Sequence, residues 1–274
     1  MIARIGEYTK QTGEETHRMA AGLCNLLKIS PEERMVRQEL AALYRLVAYF
    51  GMSDIIYTHI SARIPGKPGR FLINQYGMLF HEICASSLVE VNEEGIALSE
   101  NREVDVQVNP AGFNIHAAVH AGRPDINFVL HTHTRAGAAV SCQKQGLLPI
   151  SQQALMFYNR LGYHDYEGFA LDVAERQRLI ADLGENKGLV LRNHGLLVVG
   201  RNAAEAFNRI YILEKACDIQ IAALSGGAEL AMPAHEVMEL TGDLASPEGV
   251  ADWECLAWQA VLRLLDNQPT DYRS

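Results

Sequence analysis

The chain predicts an α/β domain, and three observations carry that prediction. Apolar residues recur at helical spacing in "RMVRQELAALYRLVAYFGM" and again in "NAAEAFNRIYILEKACDIQIAALSGG". Between those helices lie short β-rich runs bounded by turn residues, such as "IIYTHISARIPG", "RFLINQYGMLF" and "KGLVLRNHGLLVVG". Helices and strands are mixed without strict βαβ alternation, and no repeat or low-complexity linker breaks the pattern.

Composition narrows the class. With 274 residues, 48% hydrophobic and 21% charged, the chain can bury a sizeable core and is not disordered. The net charge of -9 and the absence of a long Lys/Arg run exclude nucleic acid as the expected partner. The polar start, "MIARIGEYTKQTGEETHRMA", carries no secretory signal, and no apolar run is long enough to span a bilayer. No membrane association is expected. Five scattered cysteines (Cys24, Cys84, Cys142, Cys217, Cys255) predict reduced thiols in a cytoplasmic protein.

In chain order, residues 1–30 read as an N-terminal arm, 31–227 as the main domain, and 228–274 as a C-terminal extension with a final helix. Ser30 can cap the first helix, Pro31 fits its first turn, and Glu33 completes a box-like start. Leu40, Leu43, Val47 and Phe50 form its apolar stripe, "EERMVRQE" reads as a solvated face, and Gly51 ends it. Strands follow in "IIYTHISARIPG" and "RFLINQYGMLF", then a hairpin through "NEEG" in "SLVEVNEEGIAL". Tyr57, Phe71 and Phe80 read as core. "FNIHAAVHAG" is helical, "INFVLHTHT" a strand, and "RAGAAVSCQ", "QQALMFY" and "DVAERQRLIADLG" helical. "KGLVLRNHGLLVVG" is two strands broken by "NHG", and Asn202 caps the long helix that Gly226–Gly227 stops. "MPAHEVMELTGDLASPEG" reads as irregular, and "VADWECLAWQAVLRLLDNQ" as the last helix.

The chemistry concentrates in "LHTHTR". Strand alternation sends His131 and His133 to one face and Leu130 and Thr132 to the other. Two imidazoles on one face are half of a metal site; the bland alternative is a polar strand end. In "RNHG", His194 stands at a corner beside Gly195, where a turn histidine bonded to backbone is the alternative. Three imidazoles with an open fourth position match a catalytic divalent metal site. Zinc leads on ligand type, and iron, manganese, cobalt or nickel also fit.

Taken together, "NPAGFNIHAAVHAGRPDINFVLHTHTRAGAAVSCQKQGLLPISQQAL", "GYHDYEG", "VLRNHGLLVVG" and "AAEAFNRIYILEKACDIQIAAL" resemble the class II aldolase/adducin family. The likeness runs from about Glu33 to Gly227 and is nearer to the adducin heads and their bacterial relatives than to the sugar-phosphate aldolases. It implies a three-layer α/β/α sandwich with a largely antiparallel central sheet, and a homotetramer with sites near subunit interfaces. It also implies a divalent metal held by His131, His133 and His194, acting as a Lewis acid in carbon–carbon cleavage of a small hydroxy-carbonyl or hydroxy-acid substrate. The alternatives are a non-catalytic, metal-binding assembly module or a related metal-dependent decarboxylase, epimerase or oxygenase. Actin binding is not expected, since the chain shows no basic tail.

Two departures from the resembled pattern matter. The family's catalytic glutamate falls at Gly112, after Pro110 and Ala111, and its phosphate loop falls at Thr58 and His59. The metal half of the site is intact and the proton-moving half is not. Replacement acid/base candidates are His59, His116 (one helical turn before His120), His164 and Tyr166. For His116, a packed helix histidine is an equal reading, and for His164 and Tyr166 an ordinary loop cluster is the bland one. Arg135 and Gly77 are the candidate substrate contacts, Arg135 through a carboxylate.

Overall fold

Helix α1 (Pro31–Tyr49) starts as the capping residues require. Ser30 Oγ accepts from the Glu33 amide at 3.1 Å, and Pro31 takes the first turn. The computed structural model describes residues 29–274 apart from 100, 101, 104, 105, 171, 246, 267 and 269, so all but the end of the expected arm lies outside the described residues. The expected solvated face of α1 needs correction. Glu33 and Arg37 are buried and pair at 2.9 Å, and Lys67 bridges Glu33 and Glu90, each at 2.9 Å. The two charges are held inside because each has an opposite partner.

Strands β1 (His59–Arg63), β2 (Phe71–Asn74), β3 (Leu88–Val91), β4 (Ala97–Ser99) and β5 (Arg102–Glu103) run as an antiparallel meander. Helix α2 (Pro110–Gly122), capped by Asn109, leads into β6 (Phe128–Thr132), which pairs antiparallel with β1. Helices α3 (Arg135–Ser141) and α4 (Gln152–Leu155) precede β7 (Leu161–His164) and α5 (Glu175–Leu183). Then come β8 (Gly188–Leu191), β9 (Gly195–Gly200), α6 (Ala203–Ser225), α7 (His235–Leu244) and α8 (Pro247–Leu262). Among the described residues the sheet has nine strands in the order β5-β4-β3-β2-β1-β6-β9-β8-β7, and only β7–β8 is parallel.

Side-chain alternation splits the core into two layers around that sheet. On one face Ile60, Leu72, Leu130, Val190, Leu196 and Val198 pack against α1 and α6. On the other, Val129, Leu189, Leu197 and Val199 meet Ile115 and Val119 of α2 and Leu179 and Leu183 of α5. The result is the expected three-layer α/β/α sandwich with a largely antiparallel sheet. Tyr44 locks α1 to it: its buried hydroxyl accepts from the Ile60 amide at 2.8 Å and the Asn74 amide at 3.1 Å.

Two further expectations change. The segment read as irregular holds α7, in which Val237, Leu240 and Leu244 recur at helical spacing between two prolines that suggested a loop. Tyr57 is half exposed in the turn before β1, whereas Phe71 and Phe80 are buried as expected. Strand β7, which runs into "GYHDYEG", carried no β-pattern of its own and forms because β8 offers it a parallel edge. Among the described residues, no helix is long and apolar enough to cross a membrane.

Candidate metal centre

The centre of the sheet delivers the histidines. Strand β6 brings His131 to its end and His133 just beyond it, while the tight turn between β8 and β9 carries His194. That turn needs Asn193 at a φ of 58°, a left-handed conformation asparagine tolerates better than most residues. Gly195 follows because nothing larger fits: a Cβ there would fall 2.2 Å from the Thr132 carbonyl oxygen.

The three rings converge on their Nε2 atoms. His131 and His133 are 2.7 Å apart through these atoms, His133 and His194 2.8 Å, and His131 and His194 3.3 Å. The ring backs fix the tautomers of two of them. His131 Nδ1 lies 2.8 Å from the Leu196 carbonyl oxygen, and His133 Nδ1 lies 3.1 Å from Asp54 Oδ2. Both partners only accept, so both Nδ1 atoms carry the proton and both Nε2 lone pairs face inward. Lone pairs cannot bond to one another; a cation between them resolves the clash. Tetrahedral nitrogen ligands about 2.1 Å from a metal ion stand about 3.4 Å apart, within a small ring adjustment of the distances observed. Burial, and then the neighbouring imidazoles, hold His131 well below the ordinary imidazole range. Burial, then His133, lowers His194 to about 4. Both are neutral near pH 7, as ligands must be.

Behind this triad is a second, fully buried histidine group. His59, directly opposite His131 in the β1–β6 register, has its ring centroid 5.2 Å from that of His131. Its Nδ1 is 2.7 Å from His116 Nε2, and Ser61 Oγ joins His116 Nδ1 at 2.5 Å to His120 Nε2 at 2.8 Å. Burial keeps these imidazoles neutral: it holds His116 well below the usual range and, followed by the Arg63 charge, lowers His120 to about 3. Packing ties Gly112 to His59. A Cβ at that position would lie 2.1 Å from the His59 ring, so the imidazole occupies the space a side chain at 112 would need.

The remaining sequence candidates are spread around the centre. His164 and Tyr166 line the cleft beside His194, together with Asp165, Glu175 and Arg192. The His164 ring nitrogens face Asp182 at 2.7 Å and Glu175 at 3.3 Å, while Tyr166 is about half exposed. Arg135 opens α3 next to His133, exposed and without a hydrogen-bond or ion-pair partner among the described residues. Gly77 adopts a φ of 97° in a turn after β2. Neither Arg135 nor Gly77 lines that cleft. Sequence reasoning missed Asp54, which no pattern marks, and Glu214, whose partners were visible only as the threonines of "HTHT".

Comparison with known proteins decides the family. The family described as Class II Aldolase and Adducin N-terminal domain matches residues 38–221. The chain belongs to the class II aldolase and adducin family. Within it, a crystal structure of an aldolase II superfamily protein from Pseudomonas syringae is 48% identical, with a TM-score of 0.85 over 90% of this chain and 98% of that one. Rat alpha-adducin is 40% identical over 86% of this chain, which spans 33% of the adducin. The L-fuculose 1-phosphate aldolase of Glaciozyma antarctica is 25% identical, with a TM-score of 0.77 over 92% of this chain and 99% of that one. The adducin likeness in sequence thus exceeds the likeness to that aldolase.

Proposed function

We propose that this class II aldolase-family protein is a divalent-metal-dependent carbon–carbon lyase of the aldolase type. Its substrate is a small hydroxy-carbonyl or hydroxy-acid compound that need not carry a phosphate. One observation carries the reading: three Nε2 atoms converge, and two of them are turned inward by acceptors behind their rings. A bound divalent ion, zinc first on ligand type, would supply Lewis acidity toward the substrate's oxygens.

The chain's own groups divide the rest of the work. His131, His133 and His194 hold the ion, and Leu196 and Asp54 orient two of the rings. His59, braced by His116, takes the proton-handling place beside Gly112. Tyr166 and His164 on the cleft wall are the candidate acids toward the departing fragment. Arg135 offers its exposed guanidinium to a substrate carboxylate, and the Gly77 turn a backbone contact. Free thiols at Cys84, Cys142, Cys217 and Cys255 support a reducing, cytoplasmic setting. Exposed apolar residues on α7 and α8, among them Leu240, Leu244, Trp253 and Leu256, support a homo-oligomer, which family resemblance makes a tetramer.

Elemental analysis of the purified protein tests the metal. About one divalent ion per chain is expected, with loss in His133→Ala and in His194→Ala. Unchanged metal content in both variants refutes the assignment. Turnover is then screened with dihydroxyacetone-type and pyruvate-type donors, with and without chelator. A second reading, a metal-binding module without turnover, is favoured by the 40% identity to alpha-adducin and by Gly112. Bound metal with no cleavage across those donors would support it.

A further inference from the structure

We infer that Glu214 is the positioning residue for the metal-facing histidines, acting from the opposite side of the sheet through the two threonines of "HTHT". The inference rests on the metal-site reading of His131, His133 and His194 and extends it to a residue that touches none of them.

The alternation that sends the two imidazoles to one face sends Thr132 and Thr134 to the other. There a single carboxylate meets both. Thr132 Oγ1 donates to Glu214 Oε1 at 2.6 Å, and Thr134 Oγ1 donates to Glu214 Oε2 in a shorter contact. Glu214 is 5% exposed, on α6, which packs across β6, β9 and α3. Burial pushes its carboxyl upward, and the two hydroxyls oppose that shift. The Thr134 hydroxyl also accepts from the Gly137 amide at 3.1 Å and so caps α3. Glu214 therefore grips the chain on both sides of His133.

Such a grip is needed at this place. The last paired residue of β6 is Thr132, so His133 has left the ladder that fixes its neighbours. Its ring must still come within 2.8 Å of two others that offer it no attraction of their own. A carboxylate is the side chain suited to the task. It presents two acceptor oxygens to two hydroxyl donors, whereas an amide presents one acceptor and one donor. In Glu214→Gln one threonine hydroxyl loses its acceptor, while size and helix register are kept. Outer groups that orient metal ligands typically change affinity by about 10- to 100-fold, and roughly tenfold is expected here.

The test uses the full-length protein, stripped of metal, with Zn²⁺ as the probe in chelator competition. Glu214→Gln and Thr132→Val are expected to weaken Zn²⁺ binding about tenfold, and Thr132→Ser, which restores the hydroxyl, is expected to recover it. Far-ultraviolet circular dichroism checks that each variant is folded. If Glu214→Gln does not fold, the Thr132→Val and Thr132→Ser pair carries the comparison. Affinities within twofold of wild type in folded Glu214→Gln and Thr132→Val overturn the inference and leave the metal assignment standing. If wild type itself binds no Zn²⁺, the metal assignment fails, and histidine-selective NMR of the same protein still reads the positioning. Proton contacts between the His131 and His133 rings are expected in wild type and reduced in Glu214→Gln; equal contacts in both overturn it.

Discussion

Gly112 and His59 show how one residue's meaning depends on another. Alanine at a helical glycine position ordinarily stabilises by up to about 1 kcal/mol. At 112 the added Cβ would lie 2.1 Å from the His59 ring, which is buried and bonded to His116 and so has nowhere to move. Overpacking of this kind costs about 1–3 kcal/mol, so Gly112→Ala is expected to destabilise. In a His59→Ala background the obstruction is gone, and the same substitution is expected to be neutral or stabilising. Urea unfolding of the four proteins in that cycle measures the change of sign, and a Gly112→Ala cost that persists without the imidazole would show the packing argument wrong. Half of this was legible in the sequence. The pattern marked both Gly112 and His59 as departures, but that one fills the space beside the other depends on β1 lying next to α2, which no local signal encodes.

Among the elements, the β6–β9 pair controls the site. Gly195 starts β9 hard against the Thr132 carbonyl at the end of β6, and His194 immediately precedes it. Gly195→Ala is expected to push the two strand ends apart, costing about 1–3 kcal/mol of stability and weakening Zn²⁺ binding. A variant with wild-type affinity would separate the strand contact from the metal centre. Most elements could be read from the sequence, because caps such as Ser30 and Asn202 sit at the turns between strong apolar patterns. Two of those that escaped are instructive. Strand β7 owes its existence to a neighbour, and α7 has few core contacts to impose a clear pattern: its apolar residues face outward, where the expectation of a loop was natural.

For the molecule as a whole, the buried histidines set the response to acid. His120 is lowered to about 3 and His116 well below the ordinary value of 6.5. In the unfolded chain both regain ordinary imidazoles, so below about pH 6.5 the unfolded state binds more protons and is favoured. Each histidine that stays neutral in the fold then removes about 1.4 kcal/mol of stability per pH unit, and for His120 the loss levels off near pH 3. Urea midpoints are expected to fall from pH 7 to pH 5, and less steeply in His120→Phe, where no imidazole remains to be protonated at that position. Identical pH slopes would contradict a neutral His120. The three-layer architecture was legible as a family resemblance and, at coarser grain, as mixed helix and strand patterns. The depth at which His59, His116, His120, His131 and His164 are buried was not, since an imidazole in a sequence carries no mark of the dielectric around it.

The strand order also has a consequence in time. Hairpins β2–β3 and β8–β9 join neighbours in the chain and can close early. The β1–β6 and β6–β9 seams join segments some sixty residues apart or more, as the 63-residue separation of His131 and His194 illustrates. Long closures of this sort come late in folding. The three imidazoles lie at the ends of those seams, so the centre of the sheet has to be zipped before they meet, and capture of the proposed metal ion would mark the end of folding instead of seeding its beginning.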